Sequence, residues 1–563
     1  MTISTMLLAT VFLPAVAALA MVAIDKLGRD AVRWVALAVT VVTVCMAVPL
    51  VRNAIGASVG DEVASASVDI PWLPASSGID VRLSLGLDGI SVWMFGLSAL
   101  LMVTSVLVSW KAIEDRPALF YGMLLLLETG CLGVFAARDI LLFYVFFEFT
   151  LIPLYFLIGI WGSEDRKYAA TKFFLYTLAG SLLTFLGLLS IVLWDFYGSG
   201  SQTIRFSIPE LTESLQTNPI SPVWLQTLIF VALFAGFAIK VPLFPLHTWL
   251  PLAHVQAPTA GSVVLAGVLL KIGTYGFVRF SIPFLPDATV LAAPILLGLS
   301  VAGIIYGALV ALAQSDIKRL IAYSSVSHLG FCMLGLFALN RLGTQGAMLQ
   351  MVNHGLSTGG LFALVGMLYE RYHTREIASY SGIARRVPVL AFFMLVFTFS
   401  SIGLPGLNGF VGEFMILIGM FQRGWMSWTL AGTGSLLILS VLSVSGVVLG
   451  AWYMLWLVQR VFFGPVQEPS HHGHASDLSL REIVALAPLA LFVVWIGVYP
   501  QMFVGPMQAP LDNLTGTASA MWEAADVQAP IVETATRGID PPRMEVELSG
   551  TLANSGVLRP AER

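Results

Sequence analysis

Along most of this chain, apolar residues run in blocks of about 20, the length a helix needs to cross the hydrocarbon core of a bilayer. The blocks fall at roughly 3–24, 31–50, 88–110, 117–136, 139–161, 170–196, 223–253, 258–280, 287–313, 318–339, 344–370, 387–422, 428–462 and 481–505. They predict an all-α polytopic membrane protein of about fourteen transmembrane helices. Two blocks are long and interrupted. The seventh is broken by Pro242, Pro245 and Pro251, the twelfth by "GLPGLNG" at 403–409. Backbone groups freed inside lipid are costly, so broken helices persist only where protein or water satisfies them.

The interruptions suggest a repeat. Helices 4–8 and 9–13 each hold five spans with the broken one fourth, and an odd number of spans inverts the second unit relative to the first. The expected organisation is helices 1–3 with a polar loop in 1–116, one repeat in 117–282 and a second in 283–465. A loop and last helix follow in 466–505, then a polar tail in 506–563. Residues 51–87 alternate polar and apolar near "VDIPWL" and "IDVRLSL", which predicts short strands. The tail has the composition of a disordered segment but is expected to lie along the outer surface or a partner. The "HHGH" at 471–474 lacks further ligands at tetrahedral spacing and reads as a solvated loop rather than a metal site.

Orientation follows from the loop cations. About fifteen Lys and Arg fall on one side, among them Lys26, Arg29, Lys111, Lys318, Arg319, Arg371 and Arg460, against about six on the other. The rich side is cytoplasmic, and both termini are expected on the periplasmic or outer side of the inner (plasma) membrane. No basic residue precedes the first block, which reads as a retained helix rather than a cleaved leader.

Composition supports the membrane reading. Hydrophobic residues make up 57% and charged residues 11% of the chain, with mean hydropathy +0.85, against about 25% charged in soluble domains. A net charge of -4 gives no reason to expect nucleic acid. Cys45, Cys131 and Cys332 lie in apolar runs and form neither a disulfide framework nor a metal spacing. There is no dinucleotide glycine fingerprint after a strand and no cysteine cluster, so no flavin or iron–sulfur site is expected in this chain.

What changes the picture is a set of ionisable residues inside apolar blocks. Glu128 lies in "LLLLETGCLG", Glu148 in "FYVFFEFTLIPLYF", Lys240 at the first break, and Lys271 in "VVLAGVLLKIGTYG". His328 and His354 lie in the tenth and eleventh blocks, and Glu413 just past the second break. A charge at mid-membrane costs about 2.5–3.5 kcal/mol even on insertion scales, so such residues mark function by default. A fixed buried ion pair would explain one such couple. Carboxylates and lysines spread over five helices, with histidines between, fit a proton relay better. Burial lowers a lysine's pKa by up to 3–5 units and a nearby carboxylate restores it, so a lysine beside a movable carboxylate is a switch. Three such units are worth about 4 kcal/mol, against about 2.3 kcal/mol for moving one charge through 100 mV. By contrast, Asp139 and Asp316 precede helical runs and read as caps, Arg279 as a cation at a helix end, and Lys172 as a snorkelling lysine.

At these residues a family becomes recognisable. "FYVFFEFTLIPLYFLIGIWG", "FPLHTWLPLAHVQAPTAGSVVLAGVLLKIGTYG", "SDIKRLIAYSSVSHLGF" and "GLPGLNGFVGEFMIL" together resemble the NuoM class of antiporter-like membrane subunits of respiratory complex I, the proton-pumping NADH:quinone oxidoreductase. The resemblance covers roughly 85–465. It implies two five-helix half-channels, with Glu148 modulating Lys240, Lys271 as the central lysine and Glu413 as the terminal group. Related subunits and Mrp-type antiporters carry lysine at the last position. Many relatives read "WLPDAH" where this chain has Leu252 in "WLPLAH". The resemblance also implies NADH, FMN, iron–sulfur clusters and quinone in other subunits, and antiporter-like neighbours on both flanks (NuoL-like and NuoN-like) within surrounding lipid. Rival readings are an Mrp-type sodium/proton antiporter subunit, a membrane subunit of a hydrogenase-linked complex, and an inert scaffold with a dry interior.

Overall fold

The computed structural model describes residues 2–57, 67–73, 75–469 and 476–528. Among them, twelve helices are long and apolar enough to cross a membrane. The shorter helix Val92–Val108 and the broken pair Pro388–Ser401 and Asn408–Ala431 bring the crossings to the fourteen expected. Polar caps set the starts: Asp139 accepts from Leu141 N–H and Leu142 N–H, Asp316 from Arg319 N–H, and Asn340 from Gly343 N–H. Ser479 and Glu482 form a capping box at the start of Leu480–Val498.

The expected strands form. β1 (Ser67–Leu73) pairs antiparallel with β2 (Ile79–Gly86), and β2 pairs in parallel with the two-residue β3 (Ile204–Arg205). A short helix, Ile208–Thr217, was not expected. It buries Ile208, Leu211 and Leu215 on one face.

The C-terminal part departs from expectation. The last apolar block was read to 505, but its helix stops at Val498, because Tyr499 precedes Pro500 and turns out of helical geometry. A separate helix, Gln501–Gln528, follows and takes in the first part of the polar tail. It buries Phe503, Met507, Leu511, Ala518 and Trp522, a helical stripe, against Pro286–Leu312, Arg341–Tyr372 and Asn408–Ala431. The rest of the tail, 529–563, and the His471–His474 loop lie outside the described residues.

Three helices occupy the centre. The most apolar windows of Thr259–Phe284, Ile317–Phe337 and Arg341–Tyr372 are 100%, 94% and 94% buried, against 28% for Ser435–Phe462 at the periphery. Glycine lets two of them touch: a Cβ on Gly355 would lie 2.7 Å from the Gly267 carbonyl O. This brings the backbones of Thr259–Phe284 and Arg341–Tyr372 into the close approach that small residues permit in membranes.

Candidate functional site

The first group forms at the first break. Val223–Lys240 ends on Lys240, and the chain turns through 241–248 before Trp249–Gln256 resumes. Pro242 adopts φ 31°, and Leu243 N–H bonds the Ala238 carbonyl. The Trp249 indole N–H donates to the Ile239 carbonyl at 2.9 Å, so a side chain satisfies backbone that the break releases. Lys240 is 2% exposed and its Nζ has no hydrogen-bond partner among the described residues; it sits 4.6 Å from the centroid of the Phe147 ring. Glu148 lies within electrostatic range of Lys240 and beside Ser181, but makes no direct ion pair among the described residues. Its Oε1 is buried without a partner. Glu128 is fully buried with both carboxylate oxygens unpartnered. Cys131, one turn further along, lies in electrostatic range of both Glu128 and Lys240.

The second group is tightly connected. Thr259–Phe284 contains two π-helical turns, Leu265–Leu269 and Phe277–Ser281, flanking the α-helical Leu270–Gly276 that carries Lys271. Such turns are frequent at functional sites. The Lys271 ammonium is fully buried, lies 2.7 Å from His354 Nδ1, and donates to the Ala266 carbonyl. The His354 and His328 rings stand 5.6 Å apart between centroids. His328 Nδ1 lies 2.9 Å from Glu413 Oε1, and its Nε2 lies 3.1 Å from Ser401 Oγ. Glu413 also accepts from Gln350 Nε2 at 3.0 Å. The second break lies against this carboxylate: Gly403, at φ +73°, has Glu413 Oε2 beside it.

Both histidines therefore stand between Lys271 and Glu413. The two rings are carried by Arg341–Tyr372 and Ile317–Phe337, with His354 against Lys271 and His328 against Glu413. A small cavity opens there, lined by His328, His354, Gln350, Asn353, Ser357 and Ser400 among others.

Several residues escaped the sequence reading. Lys318, counted as a loop cation, is buried and donates to the Ala257 carbonyl at 2.6 Å. His254 is fully buried with neither ring nitrogen partnered, and stacks on Phe362 at 4.4 Å. It lies in electrostatic range of Lys318, Lys271 and His354. Asn353 bonds Gln350 and the Asn408 carbonyl, holding the second break to Arg341–Tyr372. Its signal was a polar face within an apolar block, which residue type alone does not separate from packing. Arg279 is not a free helix-end cation: it pairs with Asp88 at 2.7 Å.

The arrangement offers groups that can take both protonation states: a partly unsatisfied carboxylate–lysine couple, a buried histidine, and a lysine–histidine and a histidine–glutamate hydrogen bond whose two rings stand 5.6 Å apart. The chain resembles known proteins. The family described as "NADH:quinone oxidoreductase/Mrp antiporter, TM" matches residues 137–440. The NADH-quinone oxidoreductase subunit M of Rhodobacter capsulatus is 41% identical over 512 residues, 89% of this chain and 95% of that protein. A chain in the structure of respiratory complex I from Thermus thermophilus with bound NADH has TM-score 0.76 and 32% identity, covering 92% of this chain and 99% of that one. A chain of the Mrp complex from Dietzia sp. has TM-score 0.73 at 20% identity, covering 94% and 100%, a likeness of fold alone. The chain belongs to the NADH:quinone oxidoreductase/Mrp antiporter transmembrane family.

Proposed function

We propose that this chain is a proton-translocating, antiporter-like membrane subunit of respiratory complex I, moving protons from cytoplasm to periplasm. It performs no redox chemistry. NADH, FMN, iron–sulfur clusters and quinone belong to other subunits, and antiporter-like neighbours flank it on both sides in the plasma membrane. Both termini face outward. The observation that carries this reading is the series from the half-buried Glu148 through the buried Lys240, Lys271, His354 and His328 to Glu413.

The proposed order is as follows. A charge or hydration change arriving from a neighbour moves the balance between Glu148 and Lys240. Lys240, which has no hydrogen bond of its own, then releases its proton toward Lys271. Lys318 and His254 offer a second approach to Lys271 from the side the loop cations mark as cytoplasmic. His354 and His328 carry the proton to Glu413, which releases it outward. Glu128 serves as a reserve carboxylate beside Cys131. Sodium/proton exchange has the Mrp likeness of fold behind it, but the carboxylate at Glu413 counts against it.

The test is NADH-driven proton pumping by the assembled complex carrying Lys240→Ala or Glu148→Gln. Both variants are expected to lose most pumping-linked turnover. Near-normal turnover with full proton stoichiometry in both would overturn the assignment.

A further inference from the structure

Away from the proton line, a half-enclosed cleft opens at one end of the helices. Its lining includes Leu87, Asp88, Arg138, Pro209, Tyr275 and Arg279. We propose that it binds the phosphodiester head group of an anionic phospholipid, with Arg138 as the anion's main partner.

Charge is the first argument. Asp88 is saturated: Oδ1 accepts from Ile90 N–H at 3.1 Å and Ser91 N–H at 2.9 Å, and Oδ2 pairs with Arg279 at 2.7 Å. Arg279 is also used, since its Nε donates to the Tyr275 hydroxyl at 3.0 Å. Arg138 is held by its backbone, with its N–H on the Ser84 carbonyl and its carbonyl accepting from Ile208 N–H, both at 2.9 Å. Its guanidinium makes no hydrogen bond or ion pair among the described residues. The other carboxylates around it are committed. Asp69 takes Arg82 at 2.8 Å, and Asp139 accepts backbone N–H groups of Arg82, Leu141 and Leu142. The charged residues that line the cleft, Asp88, Arg138 and Arg279, sum to one positive charge, and a phosphodiester carries one negative charge. A guanidinium fork also fits phosphate geometry better than an ammonium does.

Depth is the second argument. Arg138 stands between the ends of two spans, Pro117–Ala136 and Ile140–Trp161, so it lies where the apolar core stops. The chain around it carries exposed aromatic residues: Trp72 on β1, Tyr197 near the end of Arg166–Ser199, and Trp224 at the start of Val223–Lys240. Exposed tryptophan and tyrosine at span ends mark the head-group level. An anion at this level, beside apolar Leu87 and Pro209, is a lipid phosphate rather than one from bulk water. The inference does not depend on the proton-transfer reading, except that both take the chain as membrane-spanning.

The experiment uses the whole complex in phosphatidylcholine nanodiscs doped with a photoreactive phosphatidylglycerol or, separately, a photoreactive phosphatidylcholine. Labelled positions are read by peptide mass spectrometry. Phosphatidylglycerol is expected to label 86–91, 137–139 and 208–210 several-fold more than phosphatidylcholine. The excess should fall to parity in Arg138→Gln and be partly kept in Arg138→Lys. Equal labelling of wild type by the two lipids overturns the site, and needs no variant to fold. If inorganic phosphate removes the excess, the pocket takes the free ion and the lipid assignment fails.

Discussion

Gly273 lies two residues beyond Lys271 and packs on the last turn of the helix that ends at Lys240. A Cβ there would sit 2.5 Å from the Phe237 carbonyl O, 2.7 Å from Val241 Cγ2 and 2.9 Å from Val241 N. The Val241 N–H and Phe237 carbonyl are already bonded to each other at 2.8 Å, so neither can swing aside without opening the break. An ordinary C···O contact is about 3.3 Å, so Gly273→Ala must push the two helices apart by about 0.8 Å. Overpacking of this kind costs about 1–3 kcal/mol, and the variant is expected to assemble. The functional cost is larger in proportion. The displaced seam lies between Lys240 and Lys271, and a misplacement of about 1 Å in a transfer geometry can cost on the order of 10²-fold. Gly298→Ala is the control, because its Cβ would meet nothing within 4 Å. Complex content is measured on native gels, and proton pumping by dye quenching in inverted vesicles at matched NADH oxidation capacity. Gly273→Ala is expected to assemble yet pump at a tenth or less of the control. If it assembles and pumps like Gly298→Ala, the seam does not govern transfer and the reasoning fails.

Two further predictions concern structure outside the proton line. Arg423 is fully buried, donates to the Ala338 and Leu339 carbonyls at 2.9 Å each, and is covered by Trp522 and Asp526 of the C-terminal helix. Arg423→Met should cost about 3 kcal/mol, since two charge-assisted bonds are lost, and should expose 501–528 to limited proteolysis; unchanged resistance would count against the latch. Asp88 depends on pH. Burial pushes its carboxyl up, but Arg279 and the Ser91 contacts outweigh this and hold it below its ordinary 3.8. A depressed folded value means the stabilisation is complete above about pH 3.8 and is lost as pH falls further, through that value. The difference in melting temperature between wild type and Asp88→Asn should therefore be full at pH 7 and shrink below pH 3.8; a difference that grows in acid would reverse the sign.

Much of the fold was legible because membrane insertion makes hydropathy decisive. A span must be apolar along its whole length, so block lengths alone located the crossings, and the prolines and "GLPGLNG" located both breaks. The seven candidate residues stood out for the same reason, as costly groups in apolar surroundings. Legibility failed where burial comes from neighbours rather than from the local run. Lys318 sits at a helix start, where a lysine normally reaches water, and only the packing of Ala257 against it closes that route. His254 gives no charge signal at all. The C-terminal helix was hidden because its stripe at Phe503, Met507, Leu511, Ala518 and Trp522 is diluted by polar residues, so its average composition looks disordered while its periodicity does not. The π-turns flanking Lys271 leave no local mark in residue type.

The contrast between the two lysines bears on which step a neighbouring subunit can control. Lys271 is anchored by the Ala266 carbonyl, with His354 Nδ1 at 2.7 Å. Lys240 has a ring face at 4.6 Å and a carboxylate held off from direct contact. An ammonium without hydrogen bonds in a low-dielectric interior depends almost wholly on the field at its position. Small movements of Glu148 change that field steeply, while the same displacement near Lys271 is buffered by its fixed partners. On the proposed route, control therefore belongs on the Glu148–Lys240 side, with the Lys271-to-Glu413 line as the conductor. On this argument, substitutions at His328 or His354 slow transfer without altering how it responds to the neighbour, whereas substitutions at Glu148 remove the response itself.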